Sequence, residues 1–475
     1  MSVATEVGVK ALSESDSKQL RKSLHTLLRT WSSLSLKSIE ALDYFLIFRQ
    51  SSLISPWLDP LEKRRKFNQF LENCIAELEK SRPRLASLLS ARFIEGQTIL
   101  FLAHRLNLSQ DQINRRQREA IELLAQIIEV REFSARNQLA WQVRINLSLS
   151  PDFQWLARDS LLEQLIACLR RREPPYIIAL TGLGGIGKTA LAQLAVQQLA
   201  ESRGFSAFEW VNMEEEMGAK TRAFTGTLSN QIADMLFQNH YTENAAADKM
   251  SRSLAESLKI EPRLIVIDGL NSRQSDVLLR YVHRWANPSK FLLIGRARFD
   301  NSSNLLHFPL PELNNAEAAE FLQHHIFGGV AHEEIALLDS QVLEIVALTG
   351  GNPRALKLVA EMLRILPLRI VSEAFAEGSD PKIETLYRNI YQPVWRLLSP
   401  ESQQLLARLP NEAANEISYD RLRKFSGLEE PPLRRAVNQL VVHSLLEVCG
   451  SIEFPRYCVS RLTLTFMGTK LPATY

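Results

Sequence analysis

Eight consecutive residues, Gly182-Leu183-Gly184-Gly185-Ile186-Gly187-Lys188-Thr189, match the pattern G-x-x-x-x-G-K-[ST] in full. Each residue type has a task. Glycines at 182, 184, 185 and 187 let the main chain wrap so that successive N–H groups face inward on phosphate oxygens. Around them, Ile186, Lys188, Thr189 and Ala190 carry the amides at the start of the following helix, whose partial positive charge favours an anion. The Lys188 ammonium is suited to β- and γ-phosphates, and the Thr189 hydroxyl to Mg²⁺. A second carboxylate-bearing stretch, Arg263-Leu264-Ile265-Val266-Ile267-Asp268, ends an apolar run on an acid. In a phosphate-binding chain such a strand delivers Asp268 to the magnesium, through water. A third, Phe291-Leu292-Leu293-Ile294-Gly295-Arg296, brings an arginine to a strand end, where it can reach a γ-phosphate or stay solvated.

These residues need a particular scaffold. The apolar run Tyr176–Leu180 is short enough for a buried strand, and an Ala/Leu/Gln run from Lys188 onward reads as about three turns of helix. Residues 208–213 read as a second strand, 221–237 as a helix, 239–248 as a polar loop, and 263–268 and 291–294 as two more strands. Strands alternating with helices predict a parallel sheet. No N-K-x-D supports guanine selectivity, and no L-S-G-G-Q supports a transporter ATPase. Gly269 follows Asp268, so no second carboxylate stands ready to orient water, and slow hydrolysis is expected.

The chain has 475 residues, room for about three domains, with a net charge of +3 and an ordinary apolar content of 45%. Four cysteines are scattered without a C-x-x-C pair, which suits a reducing compartment. With no span of membrane length and no signal-like start, the expected location is cytoplasmic, with no membrane partner.

Residues 1–147 read as an all-α domain, with apolar residues at three-and-four spacing over 17–31, 37–50, 61–80, 83–93 and 98–130. Within it, about 96–130 has helix-turn-helix spacing: Ala103, Leu106, Leu108 and Ile113 would lock two helices, and Ser109 would cap the second. That second helix opens with Gln110, Gln112, Asn114, Arg115, Arg116 and Arg118, chemically suited to a DNA major groove and its phosphates. A helical hairpin with solvated arginines fits the same residues. The segment resembles the helix-turn-helix of sigma-factor region four.

Residues 145–153 read as a linker. In the C-terminal third, Gly350-Gly351-Asn352-Pro353 closes one helix and opens another, with Asn352 as cap and Pro353 at the first helical position. Ser399-Pro400 opens a helix by the same logic. Helix, helix and a two-stranded wing over 419–425, 432–443 and 445–460 follow in winged-helix order.

Taken in order, Arg158-Asp159, the glycine-rich loop, Asp268, Arg296, Gly350–Pro353 and the wing resemble the NB-ARC branch of the STAND signal-transducing ATPases, over residues 150–470. The resemblance implies a multidomain α/β P-loop NTPase with a parallel sheet, divided as 1–147, 148–310 (nucleotide binding), 311–385 (helical) and 386–475 (winged helix). It also implies an ADP-closed, ATP-open switch with Mg²⁺ that can form homo-oligomers. Arg158 would lie by the nucleotide, Arg296 would sense the γ-phosphate, and Pro353 would pack near base and sugar. Ser460 stands where the family's winged helix usually carries a histidine, so the contact with ADP is expected to be weaker, or Arg461 substitutes. No tetratricopeptide, WD or leucine-rich array is visible up to Tyr475, so the family's usual sensor is expected to be missing, unless a partner or further sequence supplies it. Signalling or transcription regulation leads. A protein-interaction scaffold in a bacterial defence or stress system, and an accessory ATPase of a nucleic-acid machine, remain open.

Overall fold

The computed structural model describes residues 14–32, 42, 45–50, 59–147, 157–171, 173–202, 205, 207–213, 252, 254–256, 258–259, 263–270, 272–296, 299, 304–327, 339–409, 413, 416–450 and 455–469. The helix expected at 221–237 and the loop at 239–248 lie outside them. Elements below are numbered among the described residues.

The N-terminal helices are α1 (Glu14–Arg29), α2 (Leu46–Gln50), α3 (Pro60–Ser81), α4 (Pro83–Leu89), α5 (Ile99–Arg105) and α6 (Gln110–Leu147), with a π-turn at Ser90–Ile94. Their starts follow from local chemistry. Asp59 accepts from Glu62 N at 2.7 Å with Pro60 next, and Thr98 accepts from Phe101 N at 3.2 Å. Ser109 and Gln112 form a reciprocal capping box at 3.1 and 2.9 Å. One apolar core joins α1, α3, α4 and the first half of α6.

Two expectations change here. The helix opened by Gln110 does not stop near 130 but runs 38 residues to Leu147, about 57 Å. No breaker interrupts it, and Leu139, Ala140, Val143 and Leu147 give its far half a second apolar face, which packs into the next domain. That half also takes up the beginning of the expected linker. Leu106 does not lock the two short helices: it ends α5 and is 42% exposed, while Leu102, Ala103 and Ile113 form the small core beneath. Three-and-four spacing marks a face, but a helix end turns its last residue off that face.

After α7 (Asp159–Arg170), five parallel strands follow: β1 (Ile177–Thr181), β2 (Ala207–Asn212), β3 (Arg263–Leu270), β4 (Lys290–Gly295) and β5 (Leu305–Pro309), in the order β2-β3-β4-β1-β5. β1 and β4 are buried along their whole length, as interior strands of a covered parallel sheet must be. α8 (Lys188–Glu201) leaves β1 and covers one face with α7 and the end of α6; α9 (Ser272–Trp285) covers the other. Because β4 lies between β1 and β3, the C-terminal ends of these three strands bring the loop, Asp268 and Arg296 to one edge. Ligands gather at that edge in open α/β sheets.

The C-terminal part contains α10 (Asn315–Phe327), α11 (Asp339–Thr349), α12 (Pro353–Leu363), α13 (Leu368–Glu377), α14 (Pro381–Trp395), α15 (Pro400–Ala407), β6 (Ile417–Ser418), α16 (Tyr419–Ser426), α17 (Glu430–Val442), β7 (Glu447–Gly450), β8 (Pro455–Cys458) and α18 (Arg461–Gly468). Asn352-Pro353, Asp380-Pro381 and Ser399-Pro400 are three cap-then-proline starts. β6, β8 and β7 form a small antiparallel sheet. A single apolar core extends from Leu313 to Phe466, and the division expected at 385/386 falls inside α14. The reason is that α14 packs on both sides: Tyr391 stacks on Phe466 of α18 at 4.3 Å, while Leu386 and Ile390 serve the same core.

Candidate nucleotide site

The loop between β1 and α8 contains three glycines in the left-handed region, with φ of 79° at Gly185 and 96° at Gly187. At Gly185 the need is also steric: a Cβ there would lie 2.9 Å from Arg354 Cβ and 3.0 Å from Asn352 Oδ1. Lys188 Nζ donates to the carbonyls of Gly182 and Leu183, both at 2.9 Å, so the ammonium lies over the loop it follows. Thr189 Oγ1 donates to Asp268 Oδ2 at 2.8 Å, from opposite elements of the sheet edge and 79 positions apart. Asp268 is buried, and its other oxygen accepts from Gly269 N at 2.8 Å.

That pair fits magnesium. A hydroxyl and a carboxylate are hard oxygen donors, and their closeness means one cation could be reached from both. Among the described residues no group of three or more His, Cys, Asp or Glu side chains gathers, so a cation here would complete its shell from phosphate and water. Mg²⁺ usually binds nucleotides in that way.

Arg158 precedes α7 and is 4% exposed. Its Nη2 donates to Pro311 O at 2.5 Å, while Nε and Nη1 have no hydrogen-bond partner among the described residues. Burial pulls its pKa down to about 10, against the attraction of the Glu317 and Glu312 carboxylates. A buried guanidinium with two unused donor atoms is suited to an additional acceptor.

Arg296, at the end of β4, donates through Nη1 to Asn389 O at 3.4 Å, and its carbonyl accepts from Ser444 Oγ at 3.0 Å. Both partners belong to the C-terminal part. Pro353 is buried at the first turn of α12. Ser460 caps α18 and donates to Glu312 Oε1 at 2.5 Å.

In the sequence, Asn352 is marked only as a cap. It does cap, accepting from Arg354 N at 3.1 Å, but its Nδ2 also donates to Gly184 O at 3.0 Å. Arg354 N donates to Gly185 O at 3.3 Å, and Leu183 belongs to the C-terminal core. The phosphate-binding loop is therefore held from its far side by the C-terminal part. Glu312 was not anticipated at all: Pro311-Glu312-Leu313 has no local pattern that marks it. Burial pushes its carboxyl up to about 8; the bond from Ser460 lowers it, Glu447 raises it, and Arg158 and Arg461 lower it. Of the residues proposed for a DNA contact, Gln110, Arg115 and Arg116 are exposed on the first turns of α6. Gln112 is exposed too, with its Oε1 accepting from Ser109 N, and Asn114 and Arg118 line a cleft against α1.

Residues 158–293 match the NB-ARC domain family. Over 236 residues the chain is 22% identical to Disease resistance protein RPP8 of Arabidopsis thaliana, covering 48% of this chain and 25% of that protein. Over 291 residues it is 21% identical to Probable disease resistance RPP8-like protein 4 of the same plant, covering 59% and 31%. The chain thus spans about a quarter to a third of the length of these relatives. Among solved structures it is similar to a Signal Transduction ATPase with Numerous Domains (STAND) protein with a tetratricopeptide repeat sensor, PH0952 from Pyrococcus horikoshii. There the identity is 16%, covering 64% of this chain and 41% of that one, at a TM-score of 0.27, too low to bear on domain arrangement. The family match, the parallel strand order and the Gly182–Thr189 loop identify the core of this chain as an NB-ARC domain of the P-loop nucleotide-binding class.

Proposed function

We propose that this chain is an adenine-nucleotide switch of the STAND class, closed with ADP, opened by ATP and Mg²⁺, and slow to hydrolyse. The observation that supports it best is the double engagement of the loop. Its residue pattern is that of a phosphate-binding loop, while Leu183, Gly184 and Gly185 are held by the C-terminal core, Asn352 and Arg354. A change of ligand on one side of a loop so held alters contacts on the other, which couples occupancy to domain arrangement.

In this reading Lys188 exchanges two neutral carbonyl acceptors for phosphate oxygens, a stronger charge-assisted bond. Thr189 and Asp268 would hold the cation, which would supply charge neutralisation to the phosphates. Arg158 supplies its unused donors to the nucleotide, and Pro353 packs by base and sugar. Arg296 reads the γ-phosphate; to do so it must leave Asn389, so ATP would loosen a contact between the sheet and the C-terminal part. Ser460, paired with Glu312, contributes a neutral hydroxyl to the ADP-bound arrangement. Signal output through the N-terminal helices, and a nucleotide-dependent homo-oligomer, complete the proposal.

The test is gel filtration of the full chain with ADP or with ATP and Mg²⁺, with identification of the co-purified nucleotide. A nucleotide-dependent change in elution, lost in Lys188→Ala, is expected. Failure to take up adenine nucleotide at any magnesium level would overturn the reading.

A further inference from the structure

Away from the residues of the nucleotide loop, α1 and the start of α6 line an open cleft of about 580 Å³. That volume lies in the range of small-molecule sites. Among the described residues, three cationic side chains, Arg21, Lys22 and Arg118, surround it with a single carboxylate, Glu122. Glu122 is already paired with Arg21 Nη1 at 3.1 Å, which leaves a net charge of two positive units around the cleft. Ile121 is buried and gives the wall an apolar element.

Two buried atoms of residues that line this cleft have no hydrogen-bond partner among the described residues: the donor Arg21 Nε and the acceptor Gln117 Oε1. Gln117 itself is 9% exposed, and its amide oxygen lies at the edge of the buried core. Orphaned polar atoms at such depth are costly, and they come here as one donor and one acceptor. His25 also lines the cleft, with its ring edge-on to Phe93 at 6.4 Å. Its pKa is lowered by burial first, then by Arg29 and Arg92. The field around the cleft is therefore positive, and the imidazole adds hydrogen-bonding capacity without further charge.

We infer that this cleft binds a small phosphorylated compound that also carries a hydroxyl or amino group, a sugar phosphate being the simplest case. A phosphate monoester carries about −1.5 to −2 charges near neutral pH, which matches the net charge of the wall better than one carboxylate does. Arg21 Nε, Lys22 and Arg118 would take the phosphate oxygens. Gln117 Oε1 would accept from the ligand's O–H or N–H. A water could satisfy either orphan alone, but it would leave the positive wall unanswered. The site shares no residue with the nucleotide-binding loop, and a ligand here would bridge α1 to the helix whose far half packs against the NB-ARC domain.

The experiment uses the full chain carrying Lys188→Ala, which weakens phosphate binding at the nucleotide loop, with the cleft variants below read against that background. Isothermal titration with inorganic phosphate and with ribose 5-phosphate should show one site for each, the sugar phosphate binding at least about tenfold tighter. Lys22→Ala and Arg118→Ala, both at exposed positions, should each weaken both ligands about tenfold. Gln117→Leu should weaken ribose 5-phosphate and leave inorganic phosphate unchanged. Thermal melts of each variant check folding. No binding of either compound at concentrations up to about 10 mM overturns the proposal, as does binding indifferent to Lys22→Ala and Arg118→Ala. Equal affinity for the two ligands overturns the organic part of the assignment. A duplex DNA arm separates the remaining source of phosphate: tighter, steeply salt-dependent binding that needs Arg118 would assign the cleft wall to nucleic acid and overturn the small-ligand reading.

Discussion

Ser460 donates its hydroxyl hydrogen to Glu312 Oε1 at 2.5 Å, across 148 positions of sequence. The contact joins the segment after β5 to the cap of α18, beside a glycine that could not carry a side chain. A Cβ on Gly350 would lie 2.9 Å from Leu462 N and 3.0 Å from Glu312 Oε1. Burial raises the Glu312 carboxyl to about 8, from an ordinary 4.5. A carboxyl raised on folding binds its proton more tightly in the native state. Its contribution is therefore full below about pH 4.5 and is lost as pH rises through about 8. Melting temperature should fall between those limits, and Glu312→Gln should flatten that part of the profile. A profile identical in the variant would remove Glu312 as its source.

At the nucleotide loop, Lys188→Ala should lower ADP and ATP affinity by about ten- to a hundredfold, the worth of a charge-assisted bond to phosphate. Asp268→Ala should instead make the remaining affinity insensitive to magnesium, because Thr189 loses its partner carboxylate. Titrations with a fluorescent ADP analogue, with and without Mg²⁺, distinguish the two effects.

Glu132 and Arg136, one turn apart on α6, form a 2.9 Å ion pair in which both side chains are almost wholly buried. Glu132 accepts from Leu46 N and Ile47 N, both at 3.0 Å, while Arg136 Nη1 donates to Ser202 O at 2.9 Å and Phe205 O at 3.1 Å. The pair ties the start of α2 to the end of the helix that leaves the phosphate loop. Arg136→Ala strands a buried carboxylate and should cost about 3–5 kcal/mol in denaturant unfolding. A loss below about 1 kcal/mol would mean that the bridge contributes little.

Asn352→Ala removes a helix cap and leaves Gly184 O without its amide donor. A loss of about 2 kcal/mol is expected from the two together. If the loop is coupled to the C-terminal part through this amide, the variant should also narrow the difference in elution between ADP- and ATP-treated protein. Unchanged elution in both states would separate the cap from the switch.

Gly351 has φ of 76°, and a Cβ there would lie 2.2 Å from Leu313 O, a backbone atom that cannot swing aside. Gly351→Ala should therefore cost about 3 kcal/mol or more, through strain and overlap combined. Gly187→Ala makes a useful contrast. It shares the positive φ, but nothing lies within 4 Å of its Cβ, so its loss should be smaller and due to strain alone.

What the sequence determined by itself is the chemistry that consecutive residues can do. A strand, a glycine loop and a lysine-headed helix are neighbours in the chain, so that local order at Ile177–Thr189 needs no tertiary contact to be read. The same holds for Asn352-Pro353 and Ser399-Pro400, whose caps reach only the next turn. Asp268 was legible because an apolar strand ending in an acid is a local pattern. Tertiary structure alone decided which distant groups meet. Thr189 reaches Asp268 because β4 separates their strands at one edge, Asn352 reaches Gly184 over 168 positions, and Arg136 reaches Ser202 from a helix that carries no break. Spacing along a chain reports which face a side chain occupies, not what packs against that face. For this reason Leu106 was assigned to a contact that the helix end claimed, and Glu312 and Glu132 gave no sign of their partners.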